Sequence, residues 1–206
     1  MALFSCQSQN FNNNLNDTTM LTNNKLNLSE FKSVARTLSA IEYRDLTGKV
    51  ANGTAYFYKQ SLPEKNGHIA IYGDNDGFEK IVVDKTLHFM EVYNFNEEGI
   101  LVSKGLMYPE GFKKGTWMYN NESGNVEKEI DYDEPFNFSW EDVLIYLEER
   151  AIQKESIVYI IRDAESNPKT WTIEWNIDTD NAEVIILNGD TGKVIEINKQ
   201  PIKKEI

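Results

Sequence analysis

The stretch from Gly111 to Leu147, GFKKGTWMYNNESGNVEKEIDYDEPFNFSWEDVLIYL, constrains the fold more than any other part of the chain. Lys113 to Tyr119 places Trp117 and Tyr119 on one face of an extended segment, and the run Asn120 to Asn125 is turn chemistry. Val126 to Tyr132 then sets Val126, Lys128 and Ile130 against Glu127, Glu129 and Asp131 at period two, which predicts a β-hairpin. Directly after it, Ser139 fits a helix N-cap with Asp142 at the capping-box position, and Phe138 and Val143 suit a hydrophobic staple. Trp140, Val143, Leu144, Leu147 and Ala151 fall on one helical face. A hairpin that runs into a capped amphipathic helix predicts an α+β protein built on antiparallel strands.

The same period recurs upstream. Lys49–Lys59, Gly67–Tyr72, Lys80–Val83, Leu87–Phe95 and Ile100–Tyr108 read as strands, separated by Pro63, Asn66-Gly67, Asp76-Gly77 and Glu98-Gly99. Turns this short join neighbours antiparallel, because a parallel crossover needs a dozen or so residues. Before this meander, Asn27 suits an N-cap with Glu30 three residues on, and Leu28, Phe31, Val34, Ala35 and Leu38 form an apolar stripe. After the central helix, Ile157–Arg162, Thr170–Ile177, Glu183–Leu187 and Lys193–Ile197 predict four more strands, with Trp171, Ile173 and Trp175 on a face that requires a helix to cover it. The expected organisation is a flexible start at 1–25, an N-terminal helix at 26–45, a β region at 46–133 and a helix with a four-strand sheet at 134–206.

Two resemblances accompany these patterns. Tyr93 to Leu101, Gly115-Thr116-Trp117-Met118-Tyr119 and Gly124-Asn125-Val126 resemble the variant MORN repeat of bacterial envelope proteins, a family that includes antitoxin-like and toxin-immunity-like members. Trp171 to Trp175 with Val184 to Val194, including the turn Asn188-Gly189-Asp190-Thr191-Gly192, is similar to the C-terminal half of PepSY-like domains. The first implies a MORN-like meander. The second implies a helix packed on a last antiparallel sheet.

The N-terminal residues point elsewhere. Leu3-Phe4-Ser5-Cys6 resembles the lipobox of Bacteroidetes-type lipoproteins, in which the cysteine carries the lipid, and only the end of a signal peptide precedes Cys6, as in a sequence trimmed of its leader. Residues 7–25 are rich in Asn, Gln, Ser and Thr, the composition of a tether. Asp17-Thr18-Thr19 resembles a Bacteroidetes O-glycosylation acceptor. Together they imply a periplasm-facing lipoprotein of the bacterial envelope, held to the membrane only through Cys6. No run of about eighteen apolar residues spans a bilayer.

Charge bounds the partner. The 206 residues carry a formal charge of −12, and the densest acidic stretch is Glu122 to Glu149. A chain of this sign repels nucleic acid, whose binding requires Lys and Arg against phosphates; the acidity itself reads either as a solubility device or as a surface for a basic partner protein. The polar residues do not assemble into a familiar reaction centre. His68 and His88 lack the neighbouring ligands of a zinc site, Asp74-Asn75-Asp76-Gly77 fails the EF-hand frame and reads as a hairpin turn, and no Walker loop or nucleophile elbow occurs. Hence no catalytic residue, metal or cofactor is expected.

The sequence therefore predicts a non-enzymatic protein-binding module. The MORN-like resemblance implies an immunity protein that neutralises a secreted toxin by direct contact. The expected partner-binding residues are Trp117, Tyr119, Glu122, Glu127, Glu129, Asp131, Tyr132, Asp133, Glu134 and Asp142, with the aromatics as candidate anchors and the carboxylates meeting a basic toxin domain; Trp117 reads alternatively as a core residue whose loss would destabilise the fold. The alternative is a structural or regulatory envelope lipoprotein that binds a peptidase or a cell-wall component.

Overall fold

The computed structural model describes residues 20–22, 24–109 and 111–202. Cys6 and Asp17-Thr18-Thr19 lie outside them. The protein is α+β, with a large antiparallel meander, a second antiparallel sheet and three α-helices among the described residues. Contacts divide it into two compact units. The first holds the described residues up to Tyr108 together with Lys113–Asp131, and the second holds Pro109, Gly111, Phe112 and 132–202.

In the first unit, β1 (Leu21–Thr22) and β2 (Lys25–Leu26) pair as a small ribbon. Helix α1 (Leu28–Val34) follows, then β3 (Arg36–Leu38) and helix α2 (Ala40–Thr47). The meander continues through β4 (Ala55–Leu62), β5 (Gly67–Asp74), β6 (Gly77–Val83), β7 (Met90–Phe95), β8 (Leu101–Met107), β9 (Lys113–Asn120) and β10 (Val126–Asp131). Strands β3 to β10 form one eight-stranded sheet in strict chain order, every pair antiparallel. Asn27 caps α1 by accepting from the Glu30 backbone N–H at 3.2 Å, as its position predicts. Phe31, at 0% exposure, plugs the core with Leu26, Ile69, Ile71, Phe78, Phe95 and Leu101. The ribbon is tied to the sheet by Leu26 N–H donating to Gly99 O at 2.8 Å and Leu101 N–H donating to Asn24 O at 3.0 Å.

Several expectations need correction here. The predicted helix over 26–45 is two helices, because Ala35 is extended (ψ 144°) and Arg36–Leu38 pairs with β4 as a strand. Ser39 then starts α2 with its own capping box, accepting from Glu42 N–H at 3.2 Å while Glu42 accepts from Ser39 N–H at 2.8 Å. Gly48, left-handed at φ 71°, ends it. The expected stripe is thereby broken: Phe31 is buried, whereas Val34 is 53% exposed. The strand expected from Lys49 begins only at Ala55.

The second unit contains α3 (Trp140–Glu149) and β11 (Ile157–Asp163), β12 (Thr170–Asn176), β13 (Asn181–Asn188) and β14 (Val194–Pro201), a separate four-stranded sheet in chain order. Ser139 and Asp142 form the predicted capping box, with reciprocal bonds of 3.2 and 2.8 Å. Trp140, Val143 and Leu147 are buried along one side of the helix. Ala151 is not, since the helix stops at Glu149 and Ala151 turns to φ 55°. The core is aromatic: Trp171 lies 5.2 Å from Phe112, 5.3 Å from Phe136 and 6.2 Å from Trp140 between ring centroids, and its indole N–H donates to Phe138 O at 2.9 Å. The Arg162 guanidinium sits over three of these rings, 4.8 Å from Phe112, 5.0 Å from Phe136 and 5.5 Å from Trp171, and donates to Asp133 at 2.8 Å.

Candidate protein-binding surface

The acidic hairpin is built by strands β9 and β10 around the turn at Asn121. Gly124 and Asn125 complete this turn, with the Asn121 side chain accepting from Ser123 N–H at 3.0 Å and Asn125 N–H at 3.1 Å. β10 is the last strand of its sheet, so one side of its backbone has no ladder partner within it. Glu127, Lys128, Glu129 and Asp131 are exposed on it, as is Glu122 in the turn. A register shift lies between Val126 and Lys128; beyond it Lys128 and Ile130 stand opposite Tyr119 and Trp117, and Glu129 and Asp131 opposite Met118 and Thr116. The two carboxylates therefore share one face of the edge strand, the face without the aromatics.

Trp117 is not an exposed anchor. It is 2% exposed, lies flat over Gly105 and donates its indole N–H to Leu106 O at 2.9 Å. Lys113 places its ammonium 4.4 Å from the Trp117 ring centroid and donates to the Tyr119 hydroxyl at 2.8 Å. Tyr119 is half-buried and held by that bond. An aromatic with a glycine opposite is a packing device, and the alternation of β9 could not separate it from a binding anchor.

Tyr132, Asp133, Glu134 and Asp142 belong to the other unit, so the expected set is not one continuous strand surface. Asp133 is engaged by Arg162 and Asp142 by the α3 cap, both structural tasks. Tyr132 is half-buried and Glu134 exposed. What remains together is Glu122, Glu127, Glu129 and Asp131 on the hairpin.

Sequence reasoning missed an open cavity of about 420 Å³ in the first unit, lined among others by Tyr43, Tyr72, Asp74, Asp76, Phe78 and Glu79. The β5–β6 turn builds it. Asp74, only 3% exposed, accepts from Asn52 N–H at 2.8 Å and Asp76 N–H at 2.9 Å, and the Asn52 amide donates to Asp76 at 2.6 Å. Tyr72 donates to Glu79. Burial, with the Asp74 carboxylate next, pushes the Tyr43 phenol up to about 12, and burial with Glu79 raises Tyr72 also, so both hydroxyls stay protonated across the physiological range. The signal was the Asp74-Asn75-Asp76-Gly77 turn, which identifies a hairpin but not the helix that closes over it. Among the described residues no three His, Cys, Asp or Glu side chains converge to hold a metal ion, and no helix is long and apolar enough to cross a membrane.

No protein-family model, curated protein or solved structure matches this chain.

Proposed function

We propose that the chain is a non-catalytic protein-binding module, an immunity-type protein that neutralises a secreted bacterial toxin by covering a basic surface of it, and that the β9–β10 hairpin is the acidic surface offered. One observation carries this reading: β10 is an edge strand whose exposed side chains include Glu127, Glu129 and Asp131 against the single base Lys128. Among the described residues Glu127 and Glu129 pair with no cation. Such an edge offers a basic partner both a negative field and unpaired backbone groups, and Val126, 52% exposed, adds an apolar contact at the strand start. The toxin class comes from the MORN-like resemblance, and periplasmic placement through a lipid on Cys6 belongs to the same proposal.

The test is co-expression with the product of the adjacent gene in a cell which that product harms. Wild type should protect and bind it. Reversing Glu127, Glu129 and Asp131 to Lys should slow association at low salt by about tenfold or more, leave the circular dichroism unchanged, and flatten the salt dependence. An adjacent product that is harmless, or a charge-reversed protein that binds and protects as well as wild type at low salt, would sink the assignment.

A further inference from the structure

We infer that a second cavity, of about 300 Å³ at the end of the eight-stranded sheet, is a binding site for a tetrahedral dianion of the phosphate or phosphomonoester class. It lies within the first unit, is distinct from the acidic hairpin, and does not depend on the toxin reading. Its lining comes from the end of β4, the start of β5 and the residues around them: Lys59, Ser61, Asn66, His68 and Lys85 with Leu62, Pro63 and Gly67. Register explains the convergence. Ser61 pairs directly with His68, and His68 with Val83, so these three share a sheet face; Lys59 is two residues before Ser61 and Lys85 two after Val83. The 3₁₀ turn Pro63–Lys65 and the left-handed Asn66 (φ 44°) fold the β4–β5 connection over that end.

Two features separate this cluster from an ordinary solvated patch. First, among the described residues the side chains of Lys59, Ser61, Asn66, His68 and Lys85 have no hydrogen-bond or ion-pair partner, and no carboxylate lines the cavity. Two lysine side chains, an imidazole, a hydroxyl and an amide thus present unused donors to one space. Second, this occurs in a chain of net charge −12, where a cavity lined by two lysines and a histidine and by no carboxylate runs against the composition. Partial burial and then the charges of Lys59 and Lys85 hold the His68 imidazole below its ordinary value. The nearby Asp84 is not among the lining residues, and its side chain is engaged outside the lining, accepting from Thr86 N–H at 2.9 Å and from the Thr86 hydroxyl at 2.6 Å. A dianion matches two ammonium groups, and its several oxygens match the neutral donors between them. A carboxylate supplies half that charge.

The binding is linked to His68. A dianion opposes the two lysine charges that depress the imidazole, so occupancy raises its pKa, and by reciprocity the site binds more tightly as pH falls through that value. The charged groups facing His68 are Lys59 from β4 and Lys85 following β6; its directly paired neighbours Ser61 and Val83 are uncharged.

The chain has two histidines, so the ring C–H resonances of His68 can be followed by NMR with His88 as internal control. Inorganic phosphate is titrated against chloride at constant ionic strength, and sulfate, whose charge does not change near neutrality, serves for the pH series. The His68 signals should shift saturably, its pKa should rise with sulfate, and Lys59→Ala or Lys85→Ala should each weaken binding by about tenfold. Glycerol 3-phosphate and phosphatidylcholine vesicles with and without phosphatidic acid distinguish a soluble ester from a lipid headgroup, since either response keeps the dianion chemistry and identifies its source. A His68 response no larger than that of His88, shifts that never saturate, or a folded Lys59→Ala/Lys85→Ala double variant that titrates like wild type would overturn the site.

Discussion

Replacing Trp117 by phenylalanine separates a core residue from a recognition residue, because the two roles predict different outcomes from one change. The indole is 2% exposed, packs on Gly105 and donates to Leu106 O. Phenylalanine keeps the six-membered ring but loses roughly 40 Å² of buried apolar surface, worth about 1 kcal/mol at ~25 cal/mol per Å². The lost hydrogen bond costs about 1 kcal/mol more. A destabilisation of about 2 kcal/mol at a urea slope of about 2 kcal/mol per M lowers the unfolding midpoint by about 1 M. Trp117→Ala, at about 3 to 5 kcal/mol, takes a large part of the total stability of an ordinary domain and suits the test less well. Far-UV circular dichroism gives the midpoint. Fluorescence adds an independent reading, because Trp140, Trp171 and Trp175 remain in the variant, and the wild-type minus variant spectrum is that of Trp117 alone. That difference should be blue-shifted and resist acrylamide. An unchanged midpoint with a red, readily quenched difference spectrum would refute the packing argument and restore Trp117 as a surface anchor.

Gly105→Ala should disturb the same contact from the other side: a Cβ there would stand 2.3 Å from Trp117 ring carbons, so a loss of about 1 to 3 kcal/mol is expected, partly relieved in the Gly105→Ala/Trp117→Phe double variant, as a urea double-mutant cycle would measure. In the second unit, Asp133→Asn leaves the Arg162 guanidinium, its side chain 5% exposed, without its carboxylate at 2.8 Å, and should lower stability by about 1 to 3 kcal/mol, read from tryptophan fluorescence in urea. Glu42 is held at about 2 by the Ser39 N–H and by Arg36, so whatever the α2 cap contributes is fully present above the ordinary value of 4.5 and is lost as pH falls towards 2. A carboxyl chemical-shift titration should show this midpoint, and Arg36→Ala should raise it.

Much of this architecture was legible because period-two alternation and turn residues agree along the chain. The Ser139 cap and the β9–β10 hairpin needed only local information. The misreading at 26–45 arose where two signals overlapped: the apolar stripe of Leu28 to Leu38 suggested one helix, while Ser39-Ala40-Ile41-Glu42 is itself a capping box that marks a second start. Which acidic residues stand free on the surface was less legible for a different reason. Whether an acidic side chain is free, caps a helix or answers a buried arginine depends on residues far away in sequence, and Asp142 and Asp133 are occupied in those ways. The basic cavity escaped notice altogether, since Lys59, His68 and Lys85 meet only through cross-strand register.

The chain-order pairing of β3 to β10 also bears on how the molecule is made. Each strand finds its partner across a single connection, so loop-closure entropy stays small at every step, and the sheet can lengthen progressively during synthesis rather than waiting for remote segments. Among the backbone hydrogen bonds of the described residues in the first unit, those that reach farthest along the chain belong to the first ribbon, Asn24 to Leu101 and Leu26 to Gly99, and they can form only once β8 is in place. The acidic strand β10 is then the last to be laid down, and the growing edge that recruits each successive strand ends as the surface that carries Glu127 and Glu129.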